Sequence, residues 1–234
     1  MTAKTVRTIL AIGIIAASVG LAAITYLLSF PDPDHSQRYL ALQLEVTGSS
    51  NRVAGIYLNM RLFDTLLEIL VFSVAVLGVR YYLSHASDVP TPSLSESGVV
   101  RIAVNFLGPL ALLLSAFFAL FGHLSPGGGF AAGVIAGSAM LYVAIAQGME
   151  ATEARLKPHR VATVEKAILL FVLCWVLLPV VLGRAPLTDL LPKGTAGQLM
   201  SGGSILPYNL LIGAKVFLGA WLIIAAFAQH RGEL

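Results

Sequence analysis

The chain has 234 residues, of which 57% are hydrophobic and only 12% are charged, and its mean hydropathy is +0.83. A soluble globular domain has about a quarter of its residues charged, so this composition excludes an ordinary soluble domain and indicates an integral membrane protein in a lipid bilayer. The net charge of +3 is spread over loops and gives no indication of nucleic acid as a partner.

Six apolar segments are long enough to cross a bilayer core of about 30 Å, which takes roughly 20 helical residues. Irregular backbone cannot face lipid, so these segments predict an all-α polytopic membrane protein with about six transmembrane helices. The first segment is about twice as long as a signal-peptide core and lacks a small-residue cleavage site, so it is predicted to remain as a span. The predicted spans are residues 8–30, 59–83, 101–122, 127–148, 161–182 and 205–228.

The distribution of Lys and Arg predicts the orientation of these spans. A cytoplasmic N-terminus puts nine of these cations on the cytoplasmic side and five on the outside, with the strongest cluster at residues 155–166. Cytoplasmic loops carry the excess of Lys and Arg, so the N-terminus and the C-terminus are both predicted to be cytoplasmic. Residues 31–58 then form a long outer loop.

A polar stretch with two prolines and four serines, residues 85–98, separates two spans from the following four. Such composition is typical of a linker, so the chain is predicted to consist of a two-span module, residues 1–84, and a four-span module, residues 99–234. The sequence has no internal repeat, which argues against a stand-alone transporter built from inverted halves.

Cys174 is the single cysteine of the chain, and neither a CxxC motif nor a Cys/His cluster accompanies it. The sequence also has no pattern of a nucleophile with its base. We therefore predict no enzymatic activity, no cofactor and no metal site.

A glycine-rich turn joins the third and fourth predicted spans. Ser125 is predicted to cap the fourth helix and Pro126 to occupy its first turn, where a missing N–H is tolerated. Beyond the turn, Gly129, Gly133 and Gly137 recur every four residues, which predicts a smooth helix face that packs closely on a partner helix. The turn as a whole comprises His123, Leu124, Ser125, Pro126, Gly127, Gly128, Gly129 and Phe130.

Three charged residues lie inside or near predicted spans, where a charge at the helix centre costs about 2.5–3.5 kcal/mol. Asp64 and Glu68 share one face of the second span, and Lys215 lies near the middle of the sixth. Glu68 and Lys215 are candidates for an ion or proton path, or alternatively form a static pair that holds two helices together. Asp64 is explained equally well by a surface pair with Arg61.

His123 stands at the end of the third span, next to the glycine-rich turn. An imidazole at this position could relay protons near neutral pH. Alternatively, its ring forms a hydrogen bond across the turn and has a structural role only.

The residues just described resemble a known family. The run GHLSPGGGFAAGVIAGSAMLY, residues 122–142, resembles the signature of the MnhB/MrpB family, the B subunit of Mrp-type multisubunit Na+/H+ antiporters. The later run ILPYNLLIGAKVFLGA, residues 205–220, is similar to the last span of that family and includes Asn209 and Lys215. This resemblance extends from about residue 99 to the C-terminus.

The front module resembles a different subunit. The run RLFDTLLEILVFSVAVLGVR, residues 61–80, is similar to the C-terminal membrane end of the large A subunit of the same antiporters and to the small MbhE-like subunit of membrane-bound hydrogenases. Phe63, Asp64, Thr65 and Glu68 carry this resemblance. The linker would then join two subunits that are neighbours in such complexes.

These resemblances imply a membrane subunit of a cation/proton antiporter, or of a related ion-pumping complex, in a prokaryotic cytoplasmic (inner) membrane. Its partners would be the other membrane subunits, and the transported ions Na+ and H+. Asp64 and Glu68 would lie in the ion path, the turn from His123 to Phe130 would shape it, and Lys215 would modulate its charge. The alternative is a purely structural subunit, of an antiporter or of a redox-driven complex.

Overall fold

A computed structural model describes residues 33–85, 98–184 and 188–229 of the chain. The described residues contain helices and loops but no strand, which confirms the prediction of an all-α protein. The chain divides into two compact units, Met1–Leu42 and Gln43–Leu234, and all the interactions discussed below lie within the second. The predicted first span, residues 8–30, and the linker interior, residues 86–97, lie outside the described residues.

The helices are joined by short connections, apart from the longer ones at residues 84–97 and 182–204. Five of them are long and apolar enough to cross a membrane: α3, α4 from Ile102 onward, α5, α7 and α8. Each overlaps a predicted span to within a few residues. The helices are α1 (Pro33–Thr47), α2 (Arg52–Gly55), a π-helix (Ile56–Met60), α3 (Leu62–Leu83), α4 (Gly98–Phe121), α5 (Gly129–Gln147), α6 (Met149–Arg155), α7 (Pro158–Val181) and α8 (Ile205–Gln229).

The predicted outer loop, residues 31–58, is largely helical instead. It contains α1, α2 and part of the π-helix, and α3 begins only at Leu62 because the backbone leaves the helical region at Arg61, with φ −120° and ψ 34°. Within this segment the Asn51 side chain accepts hydrogen bonds from the amides of Val53 and Ala54 and so caps α2.

Helix α8 lies at the centre of the second unit and packs against α3, α5 and α7. The glycine face of α5 lies on α8: a Cβ at Gly133 would lie 2.6 Å from the Gly213 carbonyl oxygen, and one at Gly137 would lie 2.6 Å from the Ala220 Cβ. Small residues let two membrane helices approach until their backbones touch, which gains van der Waals contact that lipid cannot supply. The α5–α8 pair therefore forms a rigid base for the polar groups described next.

Candidate functional site

A buried ion pair lies where α3, α7 and α8 meet. The Lys215 Nζ of α8 lies 3.3 Å from the Glu165 Oε1 of α7, and the two side chains are only 1% and 3% exposed. The same ammonium donates a hydrogen bond of 2.7 Å to the backbone carbonyl of Ile69 on α3. The pair thus connects three helices inside the apolar part of the chain.

Two neighbouring side chains complete the surroundings of this pair. The Ser73 Oγ lies 3.1 Å from the Ile69 carbonyl oxygen and 3.2 Å from the Glu165 Oε1, and its single proton serves one of them at a time. The Lys215 Nζ also lies 4.7 Å from the centre of the Phe72 ring, within reach of a cation–π attraction. Both charges are therefore paired and hydrogen-bonded, as burial requires.

The sequence interpretation of a Glu68–Lys215 pair is wrong, because the partner of Lys215 is Glu165. Glu165 was missed as a candidate, although a sequence signal for it exists: it is a carboxylate two turns inside the apolar helix α7. The cations around it, such as Arg160 and Lys166, make this end of the helix look like a solvated membrane edge.

Glu68 and Asp64 lie on the exposed face of α3 rather than at the buried pair. The Asp64 Oδ2 accepts a hydrogen bond of 2.6 Å from the Arg61 Nε, and both side chains are more than half exposed, so Asp64 forms the surface pair that was one of its two interpretations. Apart from Asp64, apolar side chains surround Glu68 on this face, with Leu67 60% exposed and Val71 68% exposed. The predicted ion-path residues therefore do not form one cluster.

His123 is fully buried in the turn between α4 and α5. Its backbone carbonyl accepts hydrogen bonds from the Asn51 amide (2.9 Å) and the Ser49 hydroxyl (2.8 Å), whereas neither ring nitrogen has a hydrogen-bond partner among the described residues. Burial lowers the pKa of His123, and backbone groups of Gln198 and Leu199 near the ring, outside hydrogen-bonding geometry, partly offset this. The contact across the turn is thus made by the main chain and not by the imidazole.

The predicted cap of the fourth span is also wrong. Helix α5 begins at Gly129, and the Ser125 hydroxyl bonds back to the Phe121 carbonyl at 3.2 Å, while Pro126 lies exposed before the helix. The Gly129 amide instead donates a 3.0 Å hydrogen bond to the Asn209 side-chain oxygen of α8. A residue 80 positions away in the chain therefore caps this helix.

Close packing around Asn209 explains the glycines of the turn. The Tyr57 hydroxyl donates to the same Asn209 oxygen at 3.3 Å, and a Cβ at Gly128, whose φ is +145°, would collide with that hydroxyl. A Cβ at Gly129 would collide with the Asn209 backbone carbonyl. Burial, followed by the negative charge of Glu68, raises the pKa of Tyr57 to about 12, so this hydroxyl stays a donor.

Gly127 and Phe130, also in the turn, pack against aromatic rings. A Cβ at Gly127 would lie 3.3 Å from the Phe118 ring. The ring of Phe130 meets that of Phe72 edge-on, with their centres 5.7 Å apart. Through Phe72, which lies next to the Lys215 ammonium, the turn reaches the surroundings of the buried pair.

Comparison with known proteins identifies the family. The model of a domain related to the MnhB subunit of Na+/H+ antiporter matches residues 99–222. The chain belongs to this family. No curated protein sequence matches the chain.

Two solved structures resemble this MnhB-family chain in fold. A chain of the membrane-bound sulfane sulfur reductase (MBS), an archaeal respiratory membrane complex, has a TM-score of 0.70 and 24% identity, over 94% of this chain and 97% of its own length. A chain of the Mrp complex from Dietzia sp. DQ12-45-1b has a TM-score of 0.68 and 23% identity. That match covers 100% of the MnhB-family chain but only 27% of the Dietzia chain.

The region matched to the MnhB family contributes only part of the buried pair's surroundings. Glu165 and Lys215 lie within residues 99–222, whereas the Ile69 carbonyl and Ser73 belong to α3, which precedes that region. The site thus depends on contact between the MnhB-related domain and the helix before it.

Proposed function

We propose that this chain is a membrane subunit of a multisubunit cation/proton antiporter of the Mrp type, or of a related ion-pumping complex, and that it contributes to the cation/proton path. Membership of the MnhB family supports this proposal, and so does the shared fold with chains of two multisubunit membrane complexes. The decisive observation is the buried Lys215–Glu165 pair. Ionisable residues inside membrane helices mark ion pathways and proton relays.

The proposal includes the surroundings of the chain. The complex lies in a prokaryotic cytoplasmic membrane, with both termini of this subunit in the cytoplasm, and it transports Na+ and H+. The chain is a fusion of a two-span module, residues 1–84, and the MnhB-related module, residues 99–234. The fold match over 94% of this chain and 97% of the MBS chain supports such a single-chain arrangement.

We further propose that Glu68 lies at a contact between subunits. It lies exposed among apolar side chains of α3, and a carboxylate there is costly in lipid, so a water-filled path or a neighbouring subunit must cover it. Asp64 lies one turn closer to the end of the same helix. His123 and the turn from Ser125 to Phe130 shape the path from the inside.

A purely structural subunit is the second candidate function. It is favoured by the contacts of Lys215 with the Ile69 carbonyl and Glu165, and by the close packing of α5 on α8 through Gly129 and Gly133. In that case the pair only holds the helices together, and the complex could be a redox-driven one.

The test is Na+-dependent proton movement in inverted membrane vesicles that contain the whole complex. We expect Glu68→Gln to assemble normally and to lose antiport, because the carboxylate can no longer exchange a proton or cation. Glu150→Gln is the matched control, since Glu150 is exposed on the short helix α6 outside the spans, and it should keep wild-type activity. Undiminished antiport in an assembled Glu68→Gln complex would favour the structural function.

A further inference from the structure

Four basic side chains lie at the beginning of α7. Lys157 directly precedes the helix, His159 and Arg160 lie in its first turn, and all three residues are exposed. The backbone of Lys166 lies about 9 Å further along the helix axis than that of Arg160, at 1.5 Å per residue. Its Nζ is nevertheless 3.5 Å from the Ala162 carbonyl oxygen, one turn closer to the beginning of the helix. The Lys166 stem therefore runs along the helix and directs its ammonium toward the other three side chains.

The acidic residues near this basic end do not balance its charge. The Glu165 carboxylate pairs with Lys215, and the Glu153 carboxylate accepts hydrogen bonds of 3.0 and 3.1 Å from the Gln229 Nε2. Glu150 is exposed on α6 and has no ion pair within the described part of the chain. Positive charge therefore remains at the beginning of α7, where it would stabilise an anionic group.

An apolar stripe continues from the basic end along the outward side of α7. Residues spaced three or four apart share one helix face, and Ala167, Leu170, Cys174 and Leu177 are all exposed. Leu170 is 62% exposed and Leu177 is 60% exposed. At 1.5 Å per residue the stripe extends about 15 Å along the helix axis, half of a bilayer core of about 30 Å. Its length thus matches the acyl chain of a lipid in one leaflet.

The outward faces of α7 and α3 require different neighbours. Glu68 adds a carboxylate to the face of α3, whereas residues 167–181 of α7 contain no Asp, Glu, Lys, Arg or His. An anionic phospholipid presents a phosphate at the membrane edge and hydrocarbon beneath it, in the same order as the basic end and the apolar stripe of α7. A protein subunit on this face would instead have to supply carboxylates at the level of Arg160.

We infer that the outward face of α7 binds one anionic phospholipid. Its phosphate is held by Arg160 and Lys166, with Lys157 and His159 beside them, and one acyl chain lies along the apolar stripe. Arginine binds a phosphate through parallel N–H groups and lysine binds it as a point charge, so both suit this headgroup. The inference is independent of the proposed antiport function, because it concerns only the contact between this chain and lipid.

The first experiment measures lipid binding to the purified whole complex after its lipid has been removed in a nonionic detergent. Dioleoyl phosphatidylglycerol and dioleoyl phosphatidylcholine are added separately, and native mass spectrometry counts the bound lipids over a range of concentrations. The two lipids have the same acyl chains, so a preference reports the headgroup charge. We expect tighter binding of phosphatidylglycerol, and equal binding of the two lipids by the wild type would overturn the inference without any variant.

Variants locate the lipid on α7. Each cation near an anionic lipid contributes about fivefold to the affinity, so Arg160→Gln combined with Lys166→Gln should weaken phosphatidylglycerol binding about 25-fold at one site. Arg52→Gln is the matched control, because it removes an exposed cation from α2, which precedes α3, whereas the beginning of α7 packs near the end of α3 through Val161 and Val76. This control should bind phosphatidylglycerol as the wild type does.

The other possible occupants of this face give different results. If sn-glycerol 3-phosphate, the headgroup without chains, displaces phosphatidylglycerol as well as added lipid does, the site binds soluble phosphate and the lipid inference is overturned. If the double variant binds lipid as the wild type does but loses a subunit, an acidic protein covers this face and the inference is overturned as well. If the double variant does not assemble, Lys157→Gln replaces it, with an expected loss of about fivefold. Unchanged affinity in that variant would overturn the inference.

Discussion

Carboxylates have opposite surroundings on the outward face of α3 and at the interior junction of α3, α7 and α8. The Glu68 side chain has no hydrogen bond or ion pair within the described part of the chain, whereas the Glu165 carboxylate is paired with Lys215 and bonded by Ser73. Each residue of an α-helix is turned by about 100° from the last, so Glu68 and its neighbour Ile69 serve different surroundings. The interior junction pairs its two charges within the chain, whereas the outward face leaves the Glu68 carboxylate for another molecule.

The largest effect is expected when the interior pair is broken on one side. Lys215→Met leaves the Glu165 carboxylate buried without its cation, which should cost about 3–5 kcal/mol. The measurement is thermal unfolding and yield of the purified complex. The double variant Lys215→Met with Glu165→Gln should recover much of the loss, because no buried charge remains. A double variant as unstable as the single one would show that the charge pair is not the cause.

A second interior perturbation tests the base of the site. Gly133→Ala places a Cβ 2.6 Å from the Gly213 carbonyl oxygen and should destabilise the chain by about 1–3 kcal/mol through overpacking. Gly78→Ala is the matched control on the outward face of α3, where a Cβ meets nothing within 4 Å. It should be neutral or slightly stabilising in the same unfolding assay. Equal effects of the two substitutions would contradict the close α5–α8 contact.

A third prediction concerns pH and the buried turn. Burial lowers the pKa of His123 from 6.5, so the unfolded chain binds a proton more readily than the folded one. The contribution of His123 to stability is therefore complete above about pH 6.5 and decreases as the pH falls toward the lower folded pKa. Unfolding temperatures of the complex between pH 5 and 8 should depend less on pH in His123→Gln. The same pH dependence in both proteins would exclude His123 as its source.

The smallest effect on stability is expected at the outward face. Glu68→Gln and Asp64→Asn change exposed groups, and the Arg61–Asp64 pair is exposed too, so each should alter stability by less than about 1 kcal/mol. Unfolding of the assembled complex checks this directly. A large loss of stability in Glu68→Gln would mean that a neighbouring subunit binds this carboxylate tightly. The carboxylate on the outward face would then be paired, as Glu165 is in the interior.

Sequence periodicity and small residues were sufficient to predict the membrane helices and the contact face of α5. Apolar runs of about 20 residues admit only helices in lipid, so α4, α5, α7 and α8 match the predicted spans to within a few residues. The glycines at positions 129, 133 and 137 likewise predict a close helix contact without identifying the partner helix. In the structure that partner is α8.

Composition and local spacing determined the all-α membrane fold of this protein, because lipid imposes the same rule on every apolar segment. Which groups meet was decided only by the tertiary structure. Lys215 pairs with Glu165 and not with Glu68, and the first amide of α5 is bonded by Asn209 and not by Ser125. A buried polar group takes whichever partner the packing of helices brings within 3 Å or so, and that partner is 50 residues away in one case and 80 in the other.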